Sequence, residues 1–329
     1  MANIPFEDWV RVPGLRGVAS VVRRILKGPR ARAPRNAGTH PPKSLTDTSR
    51  PPRYPDGHFY SPVVDTAAVA ARRDTIWPAQ PRLAGIDFND AGHLQVLTEL
   101  FPRFIGDYDY PEHAAADLPA SGFYTQNTQF SWLDARALFV LLRAWRPRRI
   151  IEVGSGFSSL LIADVNRRWL GGSIDFSCIE PFPRAFLREP IAGISRLIEQ
   201  DVQCVPLATF GSLEAGDVLF IDSSHVANTG SDVNFLFFEV LPMLAAGVHV
   251  HVHDIFLPHD YLPHWVLDEN RSWNEQYVLR ALLMYSTMFR IEFGCSYAFH
   301  AHLPLVKKAL AHPKGHAFAG GSFWITKLA

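Results

Sequence analysis

The chain has 329 residues, 47% hydrophobic, 12% aromatic and 19% charged, with 32 basic and 32 acidic side chains. That length admits one large α/β domain with extensions or two small domains, and the balance is that of a globular protein. No run of about 18 apolar residues suits a transmembrane helix, no secretory apolar core precedes a small-residue cleavage site, and Cys178, Cys204 and Cys295 have neither metal-ligand spacing nor a disulfide framework. A cytoplasmic protein is expected.

The zero net charge is unevenly placed. Residues 1–53 hold eleven Lys/Arg against three acids, densest at Arg23, Arg24, Lys27, Arg30, Arg32 and Arg35, so the remainder is correspondingly acidic. Val18–Leu26 has the spacing of a short amphipathic helix, and Pro29 to Pro55 is a Pro/Arg-rich linker. Such a tail is either a solvated extension or a contact for an anionic partner. It lacks interleaved aromatics, so no nucleic-acid partner is expected. Residues 1–55 form this extension, 56–130 a mixed accessory cap able to mediate a homodimer, and 131–329 the main domain. Within the cap, Ala91–Phe101 has a helical pattern.

From residue 131 the pattern becomes regular. Leu133, Leu138, Leu141 and Leu142 put a helix over Ser131–Trp145. A strand follows at Arg149–Val153, then a helix over Phe157–Trp169 closed by Gly171-Gly172. Further strands are expected at Ser173–Ile179, Ile194–Glu199, Asp217–Asp222 and Val248–His253, with a helix over Val233–Leu244 before the last of these. Arg290–Phe293 and Ser322–Thr326 are two more. Strands alternating with helices imply an α/β fold with a mostly parallel, doubly wound, Rossmann-like sheet.

Ligands of open α/β sheets bind beyond the carboxyl ends of the strands. The first such end reads Ile151-Glu152-Val153-Gly154-Ser155-Gly156-Phe157-Ser158-Ser159. Its glycines admit close backbone approach, and the next helix favours a polar or anionic group at its N-terminus. Ser159 stands where a dinucleotide fingerprint wants a third glycine, which disfavours a pyrophosphate, and Glu152 suits a cationic amino-acid head. Glu180 ends the second strand, placed to accept hydrogen bonds from ribose hydroxyls. Asp201, Asp222 and Asp254 end the third, fourth and fifth. Period-two alternation sets His249, His251 and His253 on one strand face and Asp254 on the other. Asp222 and Asp254, roughly 5–10 Å apart on adjacent strands, can hold a divalent cation such as Mg, Mn or Fe, with His253 as a third ligand. The alternative is that both acids bind loop backbone. The loop carrying His259, Asp260, Tyr261, His264 and Trp265 reads as an acceptor lid, and Ser272 with Glu275 as a capping box.

These motifs resemble class I S-adenosylmethionine (SAM) methyltransferases, in particular the bacterial macrocin O-methyltransferase and cephalosporin-biosynthesis group. The resemblance rests on Ile151 to Gly156, Phe220-Ile221-Asp222 and His253-Asp254, and covers roughly residues 122–329. It implies a seven-stranded sheet with an antiparallel last hairpin. It further implies SAM contacts from Glu152, Gly154, Ser155, Gly156, Ser158 and Glu180, an adenine contact from Asp201, and a methionine-end contact from Asn127 in the Tyr124–Phe130 segment. Relatives often hold a metal through acids after strands 4 and 5. Here His253 stands where a second strand-5 acid is usual. The expected reaction is methyl transfer to a hydroxyl or amine of a small polar metabolite, assisted by Asp254 and by His253 or His225 as base. A non-catalytic SAM-binding module and an NAD-dependent oxidoreductase are the alternatives.

Overall fold

The computed structural model describes residues 51–82, 84–114, 119, 121–310 and 320–329, so the basic extension up to residue 50, including Val18–Leu26, lies outside the described residues. Seven strands form one sheet: β1 (Arg149–Val153), β2 (Asp175–Ile179), β3 (Arg196–Ile198), β4 (Val218–Ile221), β5 (His249–Val252), β6 (Phe289–Gly294) and β7 (Phe323–Lys327). Their order is β3-β2-β1-β4-β5-β7-β6. β1 to β5 run parallel, whereas β7 pairs antiparallel with both β5 and β6. Each expected strand is present.

The central strand β4 is an uninterrupted apolar run with all four residues buried, because both sheet faces are covered. One face packs against α1 (Trp132–Trp145) and α2 (Phe157–Trp169), where Leu133, Leu138, Leu141, Leu142 and Leu161 are fully buried. The other face packs against the crossover between β4 and β5 and against α3 (Glu275–Leu283). That crossover is helical over Asp232–Phe235 and Leu241–Met243, with a π-helical turn at Leu236–Val240 between them. A second π turn, Val96–Leu100, interrupts the helix in the cap.

A smaller apolar cluster joins Trp77 to Phe256, Tyr261 and Val266. Trp77 Nε1 donates to the Tyr261 carbonyl at 2.7 Å, and the Val64 amide donates to Ser272 Oγ at 3.1 Å. Residues 64–77 therefore brace the loop that follows β5. Among the described residues no helix is long and apolar enough to cross a membrane.

Candidate active site

A cleft of about 680 Å3 opens beyond the carboxyl ends of β1, β2, β4 and β5. Its floor is the turn after β1. Gly154 sits at φ +82°, and a Cβ there would enter the carbonyl of Asp222, so glycine is required twice over. Its amide donates to the Ile179 carbonyl at 3.0 Å, the Ser155 amide to Glu180 Oε2 at 3.2 Å and the Gly156 amide to Ser159 Oγ at 2.9 Å. With all three amides engaged inside the protein, the turn is not a bare cradle for a pyrophosphate.

Glu152 is placed differently from its expected role as a ligand contact. It is fully buried and accepts hydrogen bonds from Ser158 Oγ (2.7 Å) and Ser159 Oγ, with Cys178 Sγ at 3.6 Å. Burial pushes its carboxyl up to about 7 against the hydroxyl hydrogen bonds. Glu152 thus ties β1 to the first turn of α2. Ser158 borders the cleft but turns its hydroxyl inward to Glu152.

Glu180 does line the cleft, with Oε1 accepting from the Phe182 amide at 2.8 Å. Phe182, 44% exposed, stands beside it. Two other expected contacts are displaced. Asp201 is exposed and away from the cleft, because β3 has three residues and ends at Ile198, letting the chain leave the sheet edge early. Asn127 is buried and fully used by its own loop: Nδ2 donates to the Tyr124 and Phe130 carbonyls, and Oδ1 accepts from the Gln129 and Phe130 amides. Its shaping of the loop is what brings Thr128, Gln129 and Phe130 to the cleft.

Across the cleft, four side chains converge at the ends of β4 and β5. His225 Nε2 lies 3.4 Å from Asp222 Oδ1 and 3.4 Å from Asp254 Oδ2. His253 Nδ1 lies 3.5 Å from Asp222 Oδ1 and 3.5 Å from Asp254 Oδ1. Asp254 is not turned to the face opposite His253. The strand ends at Val252, and Asp254 adopts φ +56°, which swings its carboxylate back toward the histidine. His225 is also left-handed, at φ +62°. Two non-glycine residues held in this region at one site are costly and mark a functional constraint.

Each imidazole has a buried carboxylate behind it; Asp134 is not singled out in the sequence, and Glu275 reads there as a capping-box residue. Glu275 Oε2 sits 2.8 Å from His225 Nδ1. It forms no capping box: α3 is preceded by Asn274, and Ser272 Oγ accepts from Val64 instead. Asp134, in the first turn of α1, faces His253 Nε2 at 3.6 Å while accepting the Ser322 amide at 2.7 Å and the Gly321 amide at 3.2 Å.

Charge in this cluster is balanced by protons. Burial opposes a charged His225, but hydrogen bonds to Asp222 and Glu275 and the field of Asp254 outweigh it and push the imidazole up to about 10. His253 is likewise raised well above its usual range, against burial, by Asp254 and Asp222. Burial also works to raise Asp222, yet the two histidines hold it well below the usual carboxylate range. Both imidazoles are thus shifted upward by the carboxylates around them. Among the described residues, ligand atoms of Asp222, His225 and Asp254 lie within 4.8 Å of one another. That mixed nitrogen and oxygen donor set fits a divalent cation.

The expected lid is half realised. His264 and Trp265 reach the cleft, whereas His259 and Tyr261 are buried beneath it; the Tyr261 hydroxyl accepts the Gln276 amide at 3.0 Å, and Asp260 accepts from the Tyr277 hydroxyl at 2.6 Å. Arg271 lies over Trp265 (4.1 Å) and Trp273 (4.6 Å) and pairs with Glu269. Trp273 in turn packs on the His225 ring, 4.4 Å between centroids. Back along β5, His249 stacks on Trp145 and His251 on Phe220, so His251 is a core residue and His249 a half-buried one.

The strand order, the antiparallel β7 and the cleft at the carboxyl edge define the class I methyltransferase fold, the class that uses SAM. Residues 151–255 match the family model described as a methyltransferase domain. An uncharacterized protein of Archaeoglobus fulgidus is 38% identical over 165 residues, covering 49% of this chain and 74% of that protein. The chain belongs to the same family as that archaeal protein, and its methyltransferase domain marks it as a class I SAM-dependent methyltransferase. Among solved structures it is similar to an O-methyltransferase from Bacillus cereus in complex with SAH, at 14% identity and TM-score 0.36, covering 74% of this chain and 98% of that one. It is also similar to a chain described as cmcI-D160 Mg-SAM, at 17% identity and TM-score 0.34, covering 67% and 90%.

Proposed function

We propose that the protein moves the methyl group of SAM to a hydroxyl, or an amine, of a small polar acceptor, with a divalent cation held among Asp222, His225, His253 and Asp254. The observation that carries this reading is the convergence of those four side chains in the same cleft as the glycine turn and Glu180. On this reading the chain falls in the macrocin-type group. SAM supplies an electrophilic sulfonium methyl, and a bound divalent ion lowers the pKa of a coordinated hydroxyl.

The protein's own residues supply placement. Glu180 receives the ribose hydroxyls, with Phe182 beside it as an apolar surface for the adenine. The turn Gly154 to Gly156 and Gln129 flank the methionine end. Trp265, Arg271 and Trp273 form the acceptor wall, rigid because the guanidinium lies over both indoles of an edge-to-face pair 5.2 Å apart. Placing acceptor oxygen, methyl carbon and sulfur in line accounts for most of the acceleration.

The test is calorimetric titration of SAM and, separately, of NAD into the purified chain, followed by SAH formation with a panel of small hydroxylated metabolites. SAM binding, no NAD binding and turnover that EDTA removes are expected. Absence of SAM binding with every divalent ion present would sink the reading. SAM binding without turnover across the panel would favour a silent binding module.

A further inference from the structure

The cluster differs from a plain carboxylate site in two respects, which share one explanation. It presents two imidazoles to two carboxylates, and each imidazole has a buried acid on its far nitrogen. His225 Nδ1 meets Glu275 at 2.8 Å, and His253 Nε2 faces Asp134 at 3.6 Å. Both backing acids are anchored by elements remote in sequence. Glu275 is fully buried at the start of α3, and Asp134 is pinned by the amides of Gly321 and Ser322. Metal-bound histidines characteristically give their second N–H to a carboxylate, which fixes the tautomer and aims the other nitrogen at the ion. Here His225 has such a hydrogen-bonded partner and His253 Nε2 has a carboxylate facing it at 3.6 Å, and the aimed nitrogens, His225 Nε2 and His253 Nδ1, face the same two aspartates.

The spacing adds to this. Each imidazole nitrogen lies 3.4–3.5 Å from a carboxylate oxygen of both Asp222 and Asp254. The Asp222 oxygen is Oδ1 for both rings, whereas Asp254 offers Oδ2 to His225 and Oδ1 to His253. Imidazole also suits first-row transition ions, and Mg2+ prefers carboxylate, carbonyl and water.

We infer that the centre is a two-histidine, two-aspartate site selective for a first-row transition ion over Mg2+, with Glu275 and Asp134 as the positioning residues of His225 and His253. This rests on the metal-assisted reading above and specifies its ion class. Neither Glu275 nor Asp134 lines the cleft; they set the direction of the two imidazole lone pairs.

The test uses the full chain stripped with a chelator and titrated by calorimetry with Mg2+, Mn2+, Co2+ and Zn2+ in turn, the Co2+ form also being read by visible absorption. Co2+ and Zn2+ binding at least about 100-fold tighter than Mg2+ is expected, with a Co2+ absorption distinct from that of the free ion. Glu275→Gln and Asp134→Asn should each weaken Co2+ by about 10- to 100-fold while leaving the SAM dissociation constant unchanged. His253→Glu should narrow the gap between Co2+ and Mg2+. Mg2+ binding as tightly as Co2+, or Co2+ affinity indifferent to both positioning variants, overturns the inference and leaves metal assistance standing. Failure of every ion to bind while SAM still binds overturns metal assistance itself. The comparison of ions on the unmodified chain remains decisive should a variant fail to fold.

Discussion

The two walls of the cleft are built on opposite plans. At the ends of β1 and β2, backbone and buried side chains shape a surface: Glu152 never reaches the cleft, the turn amides are tied down, and Glu180 is the carboxylate exposed to a ligand. At the ends of β4 and β5, the side chains are the surface, and two left-handed backbones aim them. The first wall can form from one β-turn-α unit. The second needs α1, α3 and the segment before β7 in place, because Asp134, Glu275, Gly321 and Ser322 come from those elements. On the proposed function, cofactor recognition is thus local in the chain and acceptor chemistry is distributed.

That contrast can be broken at either wall. The largest effect is expected from Gly154→Ala, which combines a positive φ with a collision against Asp222. SAM affinity measured by calorimetry should fall more than about 100-fold, with a lowered melting temperature. Next is Glu152→Gln, read by chemical denaturation across pH. Glu152 is raised to about 7 in the fold by burial, so the folded chain keeps its proton while the unfolded chain loses it above about 4.5. Its stability contribution is complete below that pH, falls as pH rises toward 7 and is then constant. The wild type should lose about 3 kcal/mol relative to the glutamine variant over that window; a pH-independent difference would place Glu152 in an ionised, solvated setting. Glu180→Ala should weaken SAM by about 10- to 100-fold, the loss of hydrogen bonds to a charged acceptor. Smallest is Asp201→Asn, which should leave SAM affinity within about twofold, as for a surface substitution. A large loss there would return the adenine contact to the third strand.

The strands were legible because each is a short apolar run closed by a polar residue, and the sheet edge then placed Glu180, Asp222 and Asp254 near one another. What was illegible depended on direction rather than position. Alternation puts residue 254 opposite 253, but the strand stops at 252 and a left-handed turn reverses the side chain. Asp134 is hidden inside an apolar helical pattern, and its purpose appears when Ser322, distant in sequence, is laid against it. Glu275 sits four residues into a stretch that reads as a helix start, so a local explanation displaced the long-range one. Glu152 stands out as the acid two residues before the first glycine, and Asn127 through the family resemblance alone. Their hydrogen-bonding capacity is satisfied by neighbours within a few residues, which a pattern of residue types does not reveal.

One contact between the walls has a practical bearing on redesign. Asp222 offers its carbonyl to the underside of the Gly154 turn and its carboxylate to the histidine cluster. A graft that exchanges the lid from residue 259 to 273 for another specificity leaves that hinge of function untouched. A graft that replaces the end of β4 alters both pockets at once, because a single peptide unit serves as the keystone between them.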